Sequence, residues 1–371
     1  MIGHRGFAAF CAEVFHETGH GKVVAFSGRD AAAMKESAAR FGVEKTFTDW
    51  REMIADPDVE LVHIVTPPDK HAEMAIAALE AGKHVLIEKP LAVTDDEAAA
   101  ILAAQEKSGK VAAINYVMRY DPLYDIVLRI AGSGWLSNLT HVGFENYASD
   151  EGLGDDHWFW DKAQSGGIFV EHGVHFFDVI GNIIGSPARQ VIGKTWNRTD
   201  GTNKEDRVLA VVSYWNEVEA TFYHAFNRPG ALEKQTAHFA FERGHVVLDG
   251  WIPYGLEMKA TIAEGALEGL KALLPSLEIV EEFAADHKIR GRGRDLAVRY
   301  AVKASERLAG PTPVYRQAVA DVIADIASAV RAPEHPLRVG IRDGATSLCV
   351  ATAARLSAET GAAVEIAGHG V

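Results

Sequence analysis

Glu171, His175 and Asp178 stand at i, i+4 and i+7, a spacing that puts all three on one face of an α-helix. The glycine pair Gly166-Gly167 comes just ahead of them, where a helix entering a crevice would begin. A histidine titrates near neutrality and so suits proton transfer. Asp178 serves equally as a cap or hydrogen-bond partner. Lys89 lies between Glu88 and Pro90, directly after an apolar run. An ammonium at such a place stabilises negative charge developing on an oxygen. His172 opens a second chemistry, because Glu171, His172 and His175 together form a two-histidine, one-carboxylate set able to hold a metal ion. Proton transfer accounts for the same residues without a metal, so no metal is the expectation taken forward. His157, Trp158 and Trp160 offer aromatic faces suited to a sugar ring, or to ordinary core packing.

Positioning these groups requires a scaffold, and the first third of the chain spells one out. Residues 22–27, Leu61–Val65, His84–Ile87 and Val111–Ile114 read as short buried strands. Between them lie helical stretches. Asp30 caps one that runs through Phe41 to Gly42, His71–Ala81 closes on Gly82, and Thr94-Asp95-Asp96-Glu97 is a capping box for one ending near Gly109. Strand–helix alternation at this spacing gives βαβ units and a parallel sheet. Ligands bind such sheets beyond the carboxyl ends of the strands, where Thr66-Pro67-Pro68 and Glu88-Lys89-Pro90 fall. The expected division is residues 1–120 and 121–371.

In the second part, Val208–Trp215 is apolar on both alternations, as a strand covered on both faces must be. Val218–Phe226 continues as a one-sided strand, and His238–Leu248 supplies more, broken at Gly244. This predicts an open, largely antiparallel sheet with helices on one face and a second subunit on the other, hence a homodimer or homotetramer. Tyr315, Val319, Val322, Ile323, Ile326 and Val330 form a helical stripe. Lys288–Arg294 reads as a solvated basic turn.

Composition narrows the partners. In 371 residues, 51 acidic side chains against 37 basic give a net charge of -14, which opposes binding to nucleic acid or an anionic membrane. No apolar run approaches the ~20 residues that span a bilayer, and the start is not a basic-then-apolar leader. Two cysteines, Cys11 and Cys349, make no disulfide framework. A cytoplasmic location fits.

Ile64-Val65-Thr66-Pro67-Pro68-Asp69-Lys70-His71, followed by Ala81-Gly82-Lys83-His84-Val85-Leu86-Ile87-Glu88-Lys89-Pro90, resembles the paired signature of the Gfo/Idh/MocA family (glucose–fructose oxidoreductase, inositol dehydrogenase). Val117-Met118-Arg119-Tyr120-Asp121-Pro122 resembles that family's crossing into its second domain. Ser165–Asp178 resembles its second motif, and Leu356–Ile366 its ending. The resemblance implies a Rossmann-like parallel-sheet domain and then an α+β open-sheet domain for substrate and assembly. It implies an NAD(P)-dependent oxidoreductase moving a hydride between the cofactor and a secondary alcohol of a sugar or cyclic polyol. In that reading Lys89 polarises the hydroxyl, His175 is the general base, and Glu171 replaces the family's usual aspartate with a side chain one methylene longer. Thr66, Pro67, His71, Glu88 and Lys89 are expected to face the cofactor and Arg119 the substrate, joined there by His157 and Trp158 for their aromatic faces and by His172, which stands outside the family's usual pattern.

The dinucleotide fingerprint is where the chain departs from the family pattern. Gly3-His4-Arg5-Gly6 matches the second and third glycines of G-x-G-x-x-G, while the first glycine and the first strand are absent. Strands sit ~4.8 Å apart, so losing a central one opens a gap of ~10 Å or draws its neighbours together. The chain is therefore expected to bind NAD(P) poorly as it stands, with either a start upstream of Met1 or a loss of cofactor binding as the cause. At the end of the next strand, Ser27-Gly28-Arg29 lacks the carboxylate that selects NAD, which leans the expectation toward NADP. Two other functions remain open. One is a glycosidase or lyase without net redox, using NAD transiently or a metal at Glu171, His172 and His175. The other is a non-catalytic sugar sensor.

Overall fold

The computed structural model describes residues 1–291 and 293–366. The first sheet is built by α1 (Phe7–Thr18), β1 (Ala25–Ser27), α2 (Ala31–Phe41), β2 (Lys45–Phe47), α3 (Trp50–Ala55), β3 (Leu61–Ile64), α4 (His71–Glu80), β4 (His84–Ile87), α5 (Asp95–Ser108) and β5 (Ala112–Ile114). β1 pairs with β2, and β3 with β4 and β4 with β5, all in parallel. The caps read from sequence are in place. Asp30 accepts from the Ala33 N–H, Gly42 ends α2 in the left-handed region, and Thr94 and Glu97 close a full capping box. Three-residue β2 and six-residue α3 carry too little periodicity to stand out in the sequence.

The expected gap at the first strand requires a correction. Ile2 bridges Ser27 and Ile64 in parallel. Its N–H donates to the His63 carbonyl and its own carbonyl accepts from the Val65 N–H, both at 2.9 Å, while Ser27 N–H donates to the Met1 carbonyl and Gly3 N–H to the Ser27 carbonyl. Four backbone hydrogen bonds thus join β1 to β3 through Met1–Gly3 at the carboxyl end of the sheet, where ligands bind. Only toward the amino ends is the ladder replaced by space. A cavity of about 520 Å³ lies there, lined by Phe15, Val23, Leu61, His63, Ile326 and Val330 among others.

After α6 (Pro122–Ser133) come β6 (Leu139–Ser149), α7 (Lys162–Ser165), α8 (Val174–Ile184), β7 (Ala188–Asn197), β8 (Glu205–Tyr214), β9 (Glu219–Arg228), β10 (Lys234–Phe241), β11 (Gly244–Asp249), β12 (Gly255–Ile262), α9 (Leu267–Leu273), β13 (Glu278–Glu282), β14 (Lys288–Gly291), β15 (Arg294–Ala297), β16 (Tyr300–Arg307), α10 (Pro311–Arg331), α11 (Ile341–Thr360) and β17 (Val364–Glu365). Ten of these strands form one sheet in the order β13-β16-β12-β11-β10-β6-β9-β8-β7-β17. Its pairs are antiparallel except β6–β9. α8 and α11 cover one face.

β8 shows why its sequence was apolar on both alternations. Val208, Ala210, Val212 and Tyr214 are buried under the helices, while Leu209 and Val211 lie half-buried on the uncovered face. There Ile192 pairs with Val211, and Ile192 and Trp196 stand 45% and 38% exposed. Trp215 falls past the strand end. The basic stretch Lys288–Arg294 is not a simple turn but the two-strand hairpin β14–β15; residue 292 within it lies outside the described residues.

α10 buries the predicted stripe, Val319, Val322, Ile323 and Ile326, against α1. α11 packs on α5 and β5 on one side and on α8 and β7 on the other. α11 therefore serves both sheets and α10 returns to the first, which the division at residue 120 does not capture. Among the described residues, no helix is long and apolar enough to cross a membrane.

Candidate active site

A crevice of about 450 Å³ opens between the carboxyl ends of the parallel strands and the start of α8. Lys89 enters it from the loop after β4. Its Nζ donates to the Glu171 backbone carbonyl at 3.0 Å and to the Glu171 carboxylate. Two residues 82 positions apart are thereby joined across the two sheets. Glu171 and His172 sit on a wide π-type turn, Phe169–Gly173, that runs into α8. Such turns recur at functional sites, and this one departs from the regular helix predicted there. His175 follows in the first turn of α8. Glu171, His172 and His175 all line the crevice.

The histidines are held neutral. Burial, then the nearby Lys89 charge, pushes His172 down to about 3. Burial, Lys89, His172 and His224 together hold His175 well below the usual imidazole range. The Nδ1 of His175 is buried without a hydrogen-bond partner, which leaves Nε2 as the working nitrogen. His172 Nδ1 lies 3.1 Å from Nδ1 of His224 on β9. The Glu171 carboxylate pairs with Lys89, and His172 Nδ1 faces His224. Elsewhere, Cys11, His63 and Glu88 bring ligating atoms within 4.8 Å of one another. In that cluster His63 Nε2 already meets Glu88 Oε1 at 2.9 Å, and Asn115 Nδ2 donates to the same oxygen at 2.7 Å.

The loop Gly3–Gly6 fits a dinucleotide pyrophosphate. Gly3 has φ +110°, and a Cβ there would stand 2.5 Å from the Val65 carbonyl oxygen. Gly6, at the N-cap of twelve-residue α1, has φ +54° and open space before it. A glycine loop leading into a helix N-terminus offers free N–H groups and the favourable end of the helix dipole to an anion. The His4 side chain does not share in this. It is buried, meets Ser37 Oγ at 3.1 Å, and packs so close over Gly28 that a Cβ at 28 would come within 2.7 Å of its ring. Gly28 is thus small for His4 rather than for a cofactor. Ser27 is buried in the strand. Arg5 pairs with Asp30 at the surface, 2.8 Å apart, and Arg29 is exposed nearby.

Several residues expected at the site are placed elsewhere. Arg119 makes a bidentate pair with Asp178 at 2.7 and 2.8 Å and a further contact with Asp343 at 3.2 Å. It braces the junction and α8 and does not line the crevice. His71 is fully buried, its two ring nitrogens 2.7 Å from the Pro90 carbonyl and 2.9 Å from that of Thr66, so it ties the two signature loops together. His157 caps a short turn by accepting from the Phe159 N–H. Trp158 does line the crevice, as do Thr66, Pro67 and Glu88. Tyr315 and Trp251 also line it, their rings 5.6 Å apart. Tyr315 was legible only as part of a helical stripe, and Trp251, from the turn after β11, carries no sequence signal.

Residues 1–116 match the model of an oxidoreductase family with an NAD-binding Rossmann fold, and residues 128–247 match the GFO/IDH/MocA C-terminal domain. Levoglucosan dehydrogenase of Pseudarthrobacter phenanthrenivorans is 33% identical over 181 residues, which are 47% of this chain and 45% of that protein. The scyllo-inositol 2-dehydrogenase (NAD(+)) of Bacillus subtilis is 28% identical over 159 residues, 43% of this chain and 45% of that protein. These matches span about half the length of the curated relatives. A solved structure of levoglucosan dehydrogenase in complex with NADH and levoglucosan superposes with a TM-score of 0.77 at 20% identity, covering 98% of each chain; at that identity it speaks for the fold. Two adjoining domain models in their family order, with a glycine loop and a lysine–carboxylate–histidine crevice between them, lead to one conclusion: the chain belongs to the Gfo/Idh/MocA family of oxidoreductases.

Proposed function

We propose that this protein oxidises a secondary alcohol of a sugar or cyclic polyol, or reduces the matching ketone, with NAD(P) as the redox partner. The observation that carries the reading is the meeting of Lys89, Glu171 and His175 in one crevice beside the Gly3–Gly6 loop. The backbone of that loop and the N-terminus of α1 would hold the pyrophosphate, and NAD(P) bound there supplies the hydride acceptor. Lys89 donates a hydrogen bond to the substrate hydroxyl and stabilises the oxygen as its charge develops. Glu171 orients the ammonium. His175 receives the hydroxyl proton. A histidine so hard to protonate is a weak base, so most of the alkoxide stabilisation falls to Lys89, and His175 carries the proton away. Trp158 and Trp251 offer apolar faces to the ring C–H groups.

The cofactor preference in this reading is NADP. His4 bars a side chain from position 28 and Arg5 occupies Asp30, so no free carboxylate awaits a ribose hydroxyl, while exposed Arg29 suits a 2′-phosphate. The reading also includes a homodimer or homotetramer, with a second copy over the bare sheet face around Ile192, Trp196, Leu209 and Val211; sedimentation as monomer at micromolar concentration would remove that part. The main test has two steps. Calorimetric titration with NADH and NADPH is expected to show binding, tighter for NADPH. Absorbance at 340 nm with a panel of aldoses, anhydrosugars and inositols is expected to find at least one oxidised substrate. No binding of either nucleotide would overturn the proposal, and so would binding without turnover across the panel and its ketone counterparts.

A further inference from the structure

His224 has no place in the mechanism above, yet it is fully buried on β9 directly under the crevice. Its Nδ1 stands 3.1 Å from the Nδ1 of His172, and the rings meet nearly at right angles, 77°. Phe144 and Phe176 pack on His224, with centroids at 5.3 and 5.6 Å. Burial holds both imidazoles neutral, with Lys89 adding to the effect on His172. Each ring therefore carries one proton, and between the facing nitrogens there is room for one.

Two arrangements satisfy this. In the first, His224 Nδ1–H donates to His172 Nδ1, His172 carries its proton on Nε2, and His224 Nε2 is a bare lone pair. In the second, His172 donates to His224, and the remaining proton sits on His224 Nε2. That nitrogen is buried with no partner, and the amide of Asn146 on the neighbouring strand does not reach it. An orphaned buried N–H is rarer in proteins than an under-used acceptor, and burying a donor without a partner is costly. The first arrangement is favoured. His172 lines the crevice with Nδ1 already committed, so Nε2–H is what it presents.

We propose that His224 is a positioning residue that fixes His172 as a hydrogen-bond donor toward the substrate, so that the site selects a polyhydroxy compound presenting an acceptor oxygen to His172 and rejects an amino group there. This rests on the crevice being the substrate site. It separates the two histidines by role: His224 fixes the proton of His172 at Nε2, whereas no hydrogen bond fixes the proton of His175. Lys89 Nζ and His172 Nε2–H then form two donors aimed at substrate oxygens. A hydroxyl, carbonyl, carboxylate or ring oxygen answers the second donor. An ammonium opposes it by charge and by lacking a lone pair.

The first test needs no substrate. Two-bond ¹⁵N–¹H correlation on histidine-labelled, cofactor-free protein at pH 7.5 reads each ring's tautomer, with His172→Gln and His224→Gln assigning the signals. The expected result is a bare Nδ1 with protonated Nε2 for His172 and the reverse for His224. The opposite pair of tautomers, or an imidazolium at either position, would overturn the proposal whether or not the protein proves to be a dehydrogenase. The second test uses whichever substrate the panel yields. His224→Phe, which removes the donor, is expected to raise KM at least tenfold with kcat within threefold of the parent. His224→Gln, which can still donate, should stay within threefold on both. An analogue with an amine in place of each hydroxyl in turn should lose at least a hundredfold in kcat/KM at one position, and that loss should shrink in His172→Gln. Equal KM in parent and His224→Phe, or an amine accepted at every position, would refute the specificity role while leaving the dehydrogenase reading intact.

Discussion

Removing the Lys89 ammonium should have two separable consequences, one for the fold and one for the reaction. In Lys89→Met the Glu171 carboxylate loses its cation while remaining only 11% exposed; Lys89 itself is 19% exposed. Breaking a buried pair from one side typically costs ~3–5 kcal/mol because the surviving charge is left without compensation. The crevice admits some water, so the lower end, about 3 kcal/mol, is expected. Adding Glu171→Gln removes the stranded charge and should return about 2 kcal/mol of it. Turnover should behave differently. Loss of a donor to the developing alkoxide costs about a hundredfold to a thousandfold in kcat, and the double variant should not recover it. The assay is urea unfolding of parent, single and double variants at pH 7.5 without cofactor, alongside steady-state rates on the best panel substrate. If Lys89→Met unfolds at the same urea concentration as the parent, the pair is not a buried ion pair in solution. If the double variant turns over within fivefold of the parent, Lys89 does not stabilise the alkoxide.

His175→Gln should lower turnover by ~10²–10⁴-fold. Because His175 is held well below 6.5, its neutral, proton-accepting form persists down to acidic pH, so the parent's acid limb should lie below 6.5; a limb centred at 7 or above that vanishes in the variant would contradict this. Burial raises the Asp121 carboxyl to about 7, and one of its oxygens is buried without a partner. The folded state then keeps a proton that the unfolded chain releases above ~4, so this group's contribution to stability falls as pH rises from 4 through 7. Asp121→Asn should accordingly be more stable than the parent at pH 8, by on the order of 4 kcal/mol, and equal to it at pH 4; the same difference at both pH values would refute the assignment. Gly3→Ala places a Cβ 2.5 Å from the Val65 carbonyl oxygen in a left-handed backbone, and should weaken NADH binding at least tenfold by calorimetry, whereas unchanged affinity would mean the loop does not hold the cofactor.

What the sequence made legible was local chemistry. Caps such as Asp30 and the Thr94–Glu97 box were readable because their hydrogen bonds close within three residues. The four parallel strands were readable from short apolar runs between such caps, and Lys89, Glu171 and His175 from motif spacing. What escaped was set by distance along the chain. Arg119 looked like a substrate residue because its carboxylate partners, Asp178 and Asp343, lie 59 and 224 positions away. His71 looked like a cofactor contact because the Pro90 carbonyl that engages it has no sequence signature. His224 sits in an alternating strand pattern where any buried residue would do, and only packing under α8 brings it to His172. The stub Met1–Gly3 was too short to read as a strand, yet its three residues suffice to bridge β1 and β3 because parallel neighbours need hydrogen bonds only at alternate positions.

The return of α10 and α11 to the first sheet bears on how the chain comes to be folded. Tyr315 of α10 stacks on Phe10 of α1 at 5.6 Å. Ser347 of α11 meets Tyr116 at 2.6 Å, and Gly340 pairs with Ala113 as an isolated bridge. The parallel sheet is translated first, but part of its cover arrives about two hundred residues later. At ribosomal speeds of ~5–20 residues per second, that is an interval of ten seconds or more in which α1, the amino-end cavity and one side of β5 face the solvent. A nascent chain halted before Pro311 should therefore bind chaperones and hydrophobic dyes through its first domain, and release them once α10 and α11 have emerged and docked.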